Sequence, residues 1–162
     1  MKNNPQLNNL MLKALKEAQK AYNKDEVPIG AIVVNSNGEI IGRGHNQVEK
    51  FKKQTAHAEI RAIEQACRKT GDWRLDGCWI FVTLEPCALC MNLVLLSRLA
   101  GIVFGAASPV FGFELDKNGP LQLYRRNTVQ IIRGICEQES MTLLKKFFKK
   151  KRNSGERGKK TE

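Results

Sequence analysis

The feature that most constrains the fold of this chain is an alternation of strand and helix patterns that begins with a hairpin. The segments "IGAIVVN" and "EIIGRGHN" are strand-like, and the turn signal "SNG" joins them, so they predict a β-hairpin. The segment "HAEIRAIEQACRKTG" follows with apolar residues at helical spacing, and Gly71 marks its C-terminal stop. The first half of the chain therefore predicts two paired strands that lead into a helix.

Almost continuously apolar segments predict the central strands. "WIFVTL" is typical of a strand in a sheet covered on both faces, and "GIVFGA" predicts a short buried strand. The segment "ALCMNLVLLSRL" between them predicts a helix, and "TVQIIRG" predicts a fifth strand. Because strands and helices alternate after the hairpin, the sequence predicts an α/β fold with helices on both faces of the sheet.

Amphipathic helices are predicted at both ends of the chain. Near the C-terminus, "CEQESMTLLKKFFKKKR" predicts a last helix with Met141, Leu144 and Phe148 on one apolar stripe. The stripe can dock the helix while its Lys/Arg face reaches phosphates. An apolar pattern of the same spacing opens the chain, and its members are Leu7, Leu10, Met11, Ala14, Leu15, Ala18 and Tyr22.

Positive charge is concentrated at the C-terminal end. The formal net charge is +11, and residues 145–162 alone hold nine Lys/Arg and two Glu. Such a basic end is the electrostatic footprint of a nucleic-acid-binding protein, although a solvated tail has the same composition. At 162 residues we expect one domain over residues 1–152, followed by a basic tail over residues 153–162. The tail has no apolar residue and is predicted to be disordered.

The cellular setting follows from what the sequence lacks. No apolar run approaches the roughly 20 residues that a membrane span needs, and the first residues lack the apolar stretch of a secretory signal. We therefore expect a cytoplasmic protein without a membrane partner. In a reducing compartment the five cysteines are better explained as metal ligands or core thiols than as disulfides.

The segment "TLEPCALC" places Cys87 and Cys90 three positions apart behind Pro86. A redox pair, a structural zinc clamp and half of a catalytic metal site are the competing interpretations. Proline suits the first turn of a helix, and a helix N-terminus favours the thiolate form that a metal needs. His57 begins another predicted helix. Three ligands from these residues would leave a fourth position for water, which is the arrangement of catalytic zinc.

The remaining cysteines are poor candidates for a fourth ligand. Cys67 lies about 15 Å along its helix from His57, and Cys78 lies about 20 Å or more before Cys87 if the strand between them is extended. We interpret both, together with Cys136, as small apolar side chains. His45, at the end of a predicted strand, is the other residue that could close the site.

Glu59 decides among the metal-site interpretations. It lies two positions after His57, in the first turn of the same predicted helix. A structural zinc clamp has no use for a carboxylate there, whereas a hydrolytic zinc site needs a group that takes a proton from water and returns it to a leaving group. Taken alone, the residue could simply complement the helix dipole. Together with the three metal-ligand candidates, it predicts catalysis.

These residues resemble a known family. "HAE" followed by "PCALC" is similar to the H-x-E…P-C-x-x-C signature of zinc-dependent nucleoside and nucleobase deaminases. Within that superfamily, residues 7–152 most resemble the bacterial tRNA-specific adenosine deaminases. The resemblance implies a cytidine-deaminase-like fold, a three-layer α/β/α sandwich with a five-stranded mixed sheet, assembled as a homodimer with active sites near the interface. The matching segments are "EVPIGAIVV", "IGRGHN", "TAHAEIRAI", "VTLEPCALC", "SRLAGIVFGA" and "FFKKKR".

The resemblance also implies a role for each site residue. His57, Cys87 and Cys90 would hold one zinc ion per chain, and Glu59 would shuttle protons. Four further residues would contact the base: Asn46 by hydrogen bonding, Ile29 by packing, Ala58 through its backbone N–H and Leu84 through its carbonyl.

At the C-terminal end, the resemblance places Phe148 and Arg152 at the anticodon loop of a tRNA, while we expect Phe147 to pack in the core. One segment departs from the family pattern. Relatives carry Gly-Ala-x-Asp-x-Lys-x-Gly-Ala after the fourth strand, where this chain has "GAASPVFGFEL" with Ser108 and Pro109. Because that loop touches RNA in the family, the RNA contacts are expected to differ here.

The function that the resemblance implies is hydrolytic deamination of adenosine to inosine at the wobble position of a tRNA anticodon. The tRNA that the resemblance indicates is one for arginine. Two alternatives stay open. A deaminase of a small free substrate, of guanine or cytidine type, would share the zinc site but has no need for a basic terminus. A non-catalytic zinc-bearing RNA-binding module would explain the charge but leaves Glu59 without a purpose.

Overall fold

The structure, a computed structural model, describes residues 4–115 and 129–154. A mixed sheet of five strands lies at its centre in the order β2-β1-β3-β4-β5. β1 pairs antiparallel with β2 and with β3, whereas β3, β4 and β5 are parallel. The strands are β1 Gly30–Val34, β2 Ile40–His45, β3 Trp79–Leu84, β4 Gly101–Ala106 and β5 Gln130–Arg133. This sheet confirms the predicted fold class.

Five helices and one 3₁₀ turn occupy the described residues. Four of the helices were predicted, but the short α2 was not. The prediction for α4 was too long: the helix ends at Leu96, and Arg98 has a left-handed φ of 59° that turns the chain toward β4. The helices are α1 Pro5–Asn23, α2 Val48–Phe51, α3 Ala58–Thr70, α4 Ala88–Leu96 and α5 Glu137–Asn153, and the 3₁₀ turn is Phe113–Leu115.

Two apolar cores lie on opposite faces of the sheet, because successive side chains of a strand point to opposite sides. In β1, Ala31 and Val33 belong to the core under α3 and α4. Ile32 and Val34 belong to the core on the other face, with Met11 of α1. The central strands are therefore covered on both sides, which explains why they are almost continuously apolar.

Helix α3 packs unusually close to β2. A Cβ atom on Gly42 would overlap the carbonyl oxygen of Ala62, and one on Gly44 would overlap that of Ala58. Glycine on the strand and alanine on the helix therefore permit direct contact between two backbones. This contact fixes the N-terminal end of α3, where His57 and Glu59 lie.

The last helix is fastened to the first. Phe147 is buried and packs edge-on against Tyr22, with ring centroids 6.2 Å apart, which confirms the expected core position. Lys150 Nζ lies 3.3 Å from an Asp25 carboxylate oxygen, and Lys151 donates to the other oxygen. The helix ends at Asn153, and residues 155–162 of the predicted tail lie outside the described residues. In the described ranges, no helix combines the length and the hydropathy that crossing a membrane requires.

Candidate active site

Two helix N-termini bring the predicted metal ligands together. His57 is the N-cap of α3 and Cys87 is the N-cap of α4, while Cys90 lies in the first turn of α4. His57 Nδ1 is 3.3 Å from Cys90 Sγ and 3.7 Å from Cys87 Sγ. The His57 side chain makes no capping hydrogen bond to its own helix, because its ring is turned toward the two thiols.

The donor set fits zinc. One imidazole nitrogen and two sulfur atoms lie within 4.8 Å of one another, and no other such group occurs in the part of the chain that the structure describes. Nitrogen and sulfur ligands are those that zinc prefers, and three protein ligands are typical of catalytic sites. His45 does not join them: its Nδ1 lies 3.5 Å from Glu17 and its Nε2 lies 3.1 Å from Lys24.

Hydrogen bonds among the three ligand side chains shift their pKa values. A hydrogen bond from Cys90 lowers the pKa of Cys87 to about 4, and the same bond raises the pKa of Cys90. The hydrogen bond with Cys87 also raises the pKa of His57. These shifts favour a thiolate at Cys87, which is the form in which cysteine binds a metal ion.

The carboxyl group of Glu59 lies beside this cluster in the first turn of α3. It is 4% exposed and lines the same cavity as His57 and Cys87. Burial raises the pKa of Glu59. A carboxyl group beside the metal ligands can accept a proton from water and return it to a leaving group, as general acid–base catalysis requires.

A cavity of about 860 Å³ opens above the cluster. Its wall includes all four residues predicted to contact a base, namely Ile29, Asn46, Ala58 and Leu84. Ala58 is the first residue of α3, and the N–H groups of a first helical turn have no partner within the helix. The structure therefore brings the predicted base-contact residues and the metal cluster into one cavity.

The side chain of Asn46 is oriented by a residue that the sequence did not single out. Asn46 is 5% exposed, and its Nδ2 lies 3.5 Å from a carboxylate oxygen of Glu26. A carboxylate only accepts hydrogen bonds, so the amide nitrogen must be the atom that faces it. The amide oxygen remains to accept a hydrogen bond from a ligand.

Glu26 is 1% exposed, lines the cavity and holds the start of α2. Its two oxygens accept hydrogen bonds from the backbone N–H of Glu49 at 3.0 Å and of Lys50 at 2.7 Å. In the sequence it is one acidic residue before an apolar strand, and no periodicity marks it. Its role depends on residues more than 20 positions away along the chain.

Glu85 is a second residue that the sequence did not single out. It is buried, lines the cavity, and accepts backbone hydrogen bonds from Ser108 at 2.9 Å and from Glu114 at 3.0 Å. A Cβ atom on Gly112 would overlap its carboxyl group. Glu85 thus fixes the loop of residues 107–115, which is the segment that departs from the family pattern.

The two predicted RNA-contact residues lie in different places. Phe148 lines the cavity with Met141, Leu144 and Lys145, whereas Arg152 is exposed in the last turn of α5 and is absent from the cavity wall. The apolar stripe of α5 therefore forms part of the cavity wall, while the buried Phe147 packs against Tyr22 of α1. That the half-buried Met141 and Leu144 also help to dock the helix stays a prediction.

A donor set suited to zinc, beside a buried carboxyl group on an α/β/α scaffold, places this protein among the zinc-dependent deaminases. The family model described as "Cytidine and deoxycytidylate deaminase zinc-binding region" matches residues 4–106, and the chain belongs to this family. The matched range contains the three metal ligands and Glu59.

Relatives extend the comparison over most of the chain. The tRNA-specific adenosine deaminase of Bacillus subtilis (strain 168) is 45% identical over 143 residues, which cover 88% of each chain. A solved structure from work on A-to-I editing by tRNA:A34 deaminases at the wobble position of transfer RNA has a TM-score of 0.75 and 34% identity, covering 84% of this chain and 99% of that one. A guanine deaminase from Nitrosomonas europaea has a TM-score of 0.77 at 23% identity over 89% of this chain and 84% of its own. At that identity, the likeness concerns the fold alone.

Proposed function

We propose that this protein is a hydrolase that converts adenosine to inosine at the wobble position of a tRNA anticodon, and that its substrate is a tRNA for arginine. The observation that carries the proposal is the cluster of His57, Cys87 and Cys90 beside Glu59, in a cavity whose rim includes the basic helix α5. The similarity to tRNA-specific adenosine deaminases supports the same substrate.

The chemistry requires a nucleophile and a proton carrier. When bound by the three ligands, zinc supplies the nucleophile at neutral pH by lowering the pKa of water. Glu59 takes a proton from the attacking water and returns it to the departing amine. A C–O bond forms at C6 of the adenine and the C–N bond breaks, so the products are inosine and ammonia.

The cavity walls position the base. Asn46, held by Glu26, offers its amide oxygen, and Ile29 offers an apolar surface for the ring. The backbone N–H of Ala58 and the carbonyl of Leu84 border the reacting edge. A base can enter only after it leaves its stack, and this costs least in a single-stranded loop.

The rim of the cavity suits an anticodon loop. Lys145 and Phe148 of α5 line it, so a cation and an aromatic ring lie where the loop would approach. Cations bind phosphates, and aromatic rings stack on unpaired bases. Arg152, one helical turn beyond Phe148, would reach the backbone further from the target.

A substrate comparison tests the proposal. We expect inosine and ammonia from an anticodon stem-loop with adenosine at the wobble position, and far lower rates with free adenosine, guanine or cytidine. The Glu59→Gln variant is the control for background hydrolysis. Faster turnover of guanine or cytidine would establish the small-substrate alternative. Binding of the stem-loop without any turnover by the zinc-loaded protein would establish the binding-module alternative.

We also expect a homodimer in the cytoplasm. An apolar groove lies between the outer faces of α3 and α4, and Trp73 and Leu96 at its edge are half exposed. Exposed apolar surface of this kind is typical of an interface between subunits. Light scattering should give twice the mass of one chain, and Trp73→Glu should shift the mass toward a monomer. A parent protein that runs as a monomer would contradict this expectation.

A further inference from the structure

The loop of residues 107–115 presents two apolar side chains to solvent at the mouth of the cavity. Val110 is 67% exposed and Phe111 is 74% exposed, and both line the same cavity as Glu59 and Asn46. Phe111 is more exposed than any other large apolar side chain for which the described residues give a value. An exposed ring at the entrance to a site is a candidate for ligand contact, because burying it there would gain apolar contact area.

The loop that carries Phe111 is fixed by hydrogen bonds and by one ion pair. Glu85 accepts the backbone N–H groups of Ser108 and Glu114, one on each side of the tip. The hydroxyl of Ser108 accepts the backbone N–H of Phe111 at 3.3 Å. The side chain of Glu114 pairs with Arg133 on β5. These bonds fix the backbone on both sides of Phe111, so little conformational entropy is lost when the ring receives a partner.

The surrounding charge indicates what kind of partner fits. Lys145 shares the cavity wall with Phe111, and residues 145–152 of the neighbouring helix contain six Lys or Arg and no acidic residue. A ligand that suits this surface needs negative charge beside a flat apolar face. A nucleotide has both, whereas a second copy of this chain carries a net charge of +11. Charge complementarity thus favours a nucleic-acid strand over self-association at this tip.

We propose that Phe111 is a stacking platform for the base that flanks the target adenosine, with Val110 extending the apolar surface. The proposal rests on the proposed function, since it assigns a second contact to the same RNA strand. The target base enters the cavity, and its unpaired neighbour lies on the ring outside. Stacking on an aromatic side chain needs no particular base, so Phe111 contributes binding and positioning rather than base identity.

A kinetic comparison tests the contact. On an anticodon stem-loop, Phe111→Ala should lower kcat/KM about tenfold, mainly through KM, because one base–ring stack is lost. Phe111→Trp should retain the parent value, and Phe111→Leu should not. Phe51→Ala is the matched control, since Phe51 is 42% exposed, lies near Lys50 and Arg61, and is outside the cavity wall. Equal activity of Phe111→Ala and the parent, or full rescue by Leu, would overturn the stacking role.

Substrates that lack one base can show which of the two flanking bases contacts Phe111. We would place an abasic nucleotide first on the 5′ side and then on the 3′ side of the target. On the side where Phe111 stacks, the abasic substrate and Phe111→Ala delete the same interaction, so Phe111→Ala should have no further effect there. On the other side, Phe111→Ala should keep its full effect. Additive effects on both sides would contradict the proposal. A change of mass in light scattering for Phe111→Ala would show that a second copy covers the ring, and this too would overturn it.

Fluorescence gives an independent signal. With 2-aminopurine at the flanking position, stem-loop binding to the Glu59→Gln protein should quench emission, and Phe111→Ala in that background should remove the quenching. Persistent quenching would mean that another group stacks on the base. If the parent protein does not deaminate the stem-loop at all, the proposed function fails. If the parent is active but Phe111→Ala matches it, only this further inference fails.

Discussion

At the residue scale, three buried glutamates around one cavity have different surroundings. Glu26 and Glu85 each accept two backbone N–H groups, so their carboxylates are committed to holding α2 and the loop of residues 107–115. Glu59 lies instead beside the metal ligands, where burial raises its pKa. Position along the chain does not separate these roles, but the partners of each carboxyl group do.

Replacing Glu59 with glutamine should abolish most turnover and leave the fold and the zinc intact. The amide keeps the size of the side chain but cannot accept a proton, and loss of general acid–base catalysis commonly costs about 10²-fold or more. Inosine formation measures the rate, and metal analysis should still give about one zinc per chain. A variant that works at close to the parent rate would disprove the role of Glu59.

Replacing Glu26 with glutamine should weaken substrate binding without loss of zinc. One amide oxygen cannot satisfy both backbone N–H groups of α2 and also face the amide nitrogen of Asn46, so Asn46 should lose its orientation. We expect kcat/KM to fall about tenfold, in line with the cost of an unsatisfied buried donor. Glu39→Gln removes the same charge from an exposed side chain outside the cavity wall and is the matched control. Equal effects of the two variants would show that charge, rather than orientation, is responsible.

The sequence predicted the metal ligands and the proton carrier better than the residues that hold the surrounding segments in place. His57, Glu59, Cys87 and Cys90 are recognisable because their short spacings reflect helix geometry. The contacts of Glu26 and Glu85 link positions 23 to 29 residues apart, and only the folded chain brings them together. Long-range backbone contacts of this kind leave no periodic signal.

At the element scale, the site depends on how closely α3 lies against β2. The two glycines of β2 and the alanines of α3 bring the backbones into contact, and this contact fixes the turn that carries His57. The sequence predicted both elements but not the closeness of their packing. It also missed α2, whose four residues are too few for a periodic pattern.

Replacing Gly44 with alanine should displace the metal ligand His57, although Gly44 itself is not part of the site. The added methyl group would overlap the carbonyl oxygen of Ala58 and push the start of α3 away from the sheet. Overpacking of this kind costs about 1–3 kcal/mol of stability, and the shift should also lower zinc retention. Thermal unfolding and metal analysis measure the two effects. Gly71→Asn, at an open left-handed position that ends the same helix, should change neither much. Normal zinc retention in Gly44→Ala would contradict the argument.

At the scale of the whole molecule, helix α5 carries a cluster of basic residues and also forms part of the cavity wall. The sequence predicted a basic helix with an apolar stripe, but it could not tell which way the stripe faces, because that depends on which layer lies beneath. In the structure, Phe147 anchors α5 on Tyr22, while Asp25 pairs with Lys150 and Lys151. Part of the basic face therefore helps to fasten the helix, and Lys145 at the cavity wall and Arg152 in the last turn are better placed for phosphates.

Replacing Arg152 with alanine should therefore weaken RNA binding without affecting zinc or fold. Its side chain is exposed in the last turn of α5, so we expect its removal to leave the core intact. Each phosphate contact to a single strand contributes about 0.7 to the slope of log K against log salt concentration, and the variant should lose about that much. The measurement is stem-loop binding across a salt series. Lys16→Ala removes an equal charge from an exposed position on α1 and should leave the slope unchanged. Truncation after Asn153 should matter less than Arg152→Ala, because we place the phosphate contacts on the helix. If Arg152→Ala matches the parent at every salt concentration, the C-terminal turn serves only to complete the helix, and a small free substrate becomes the better explanation of the cavity.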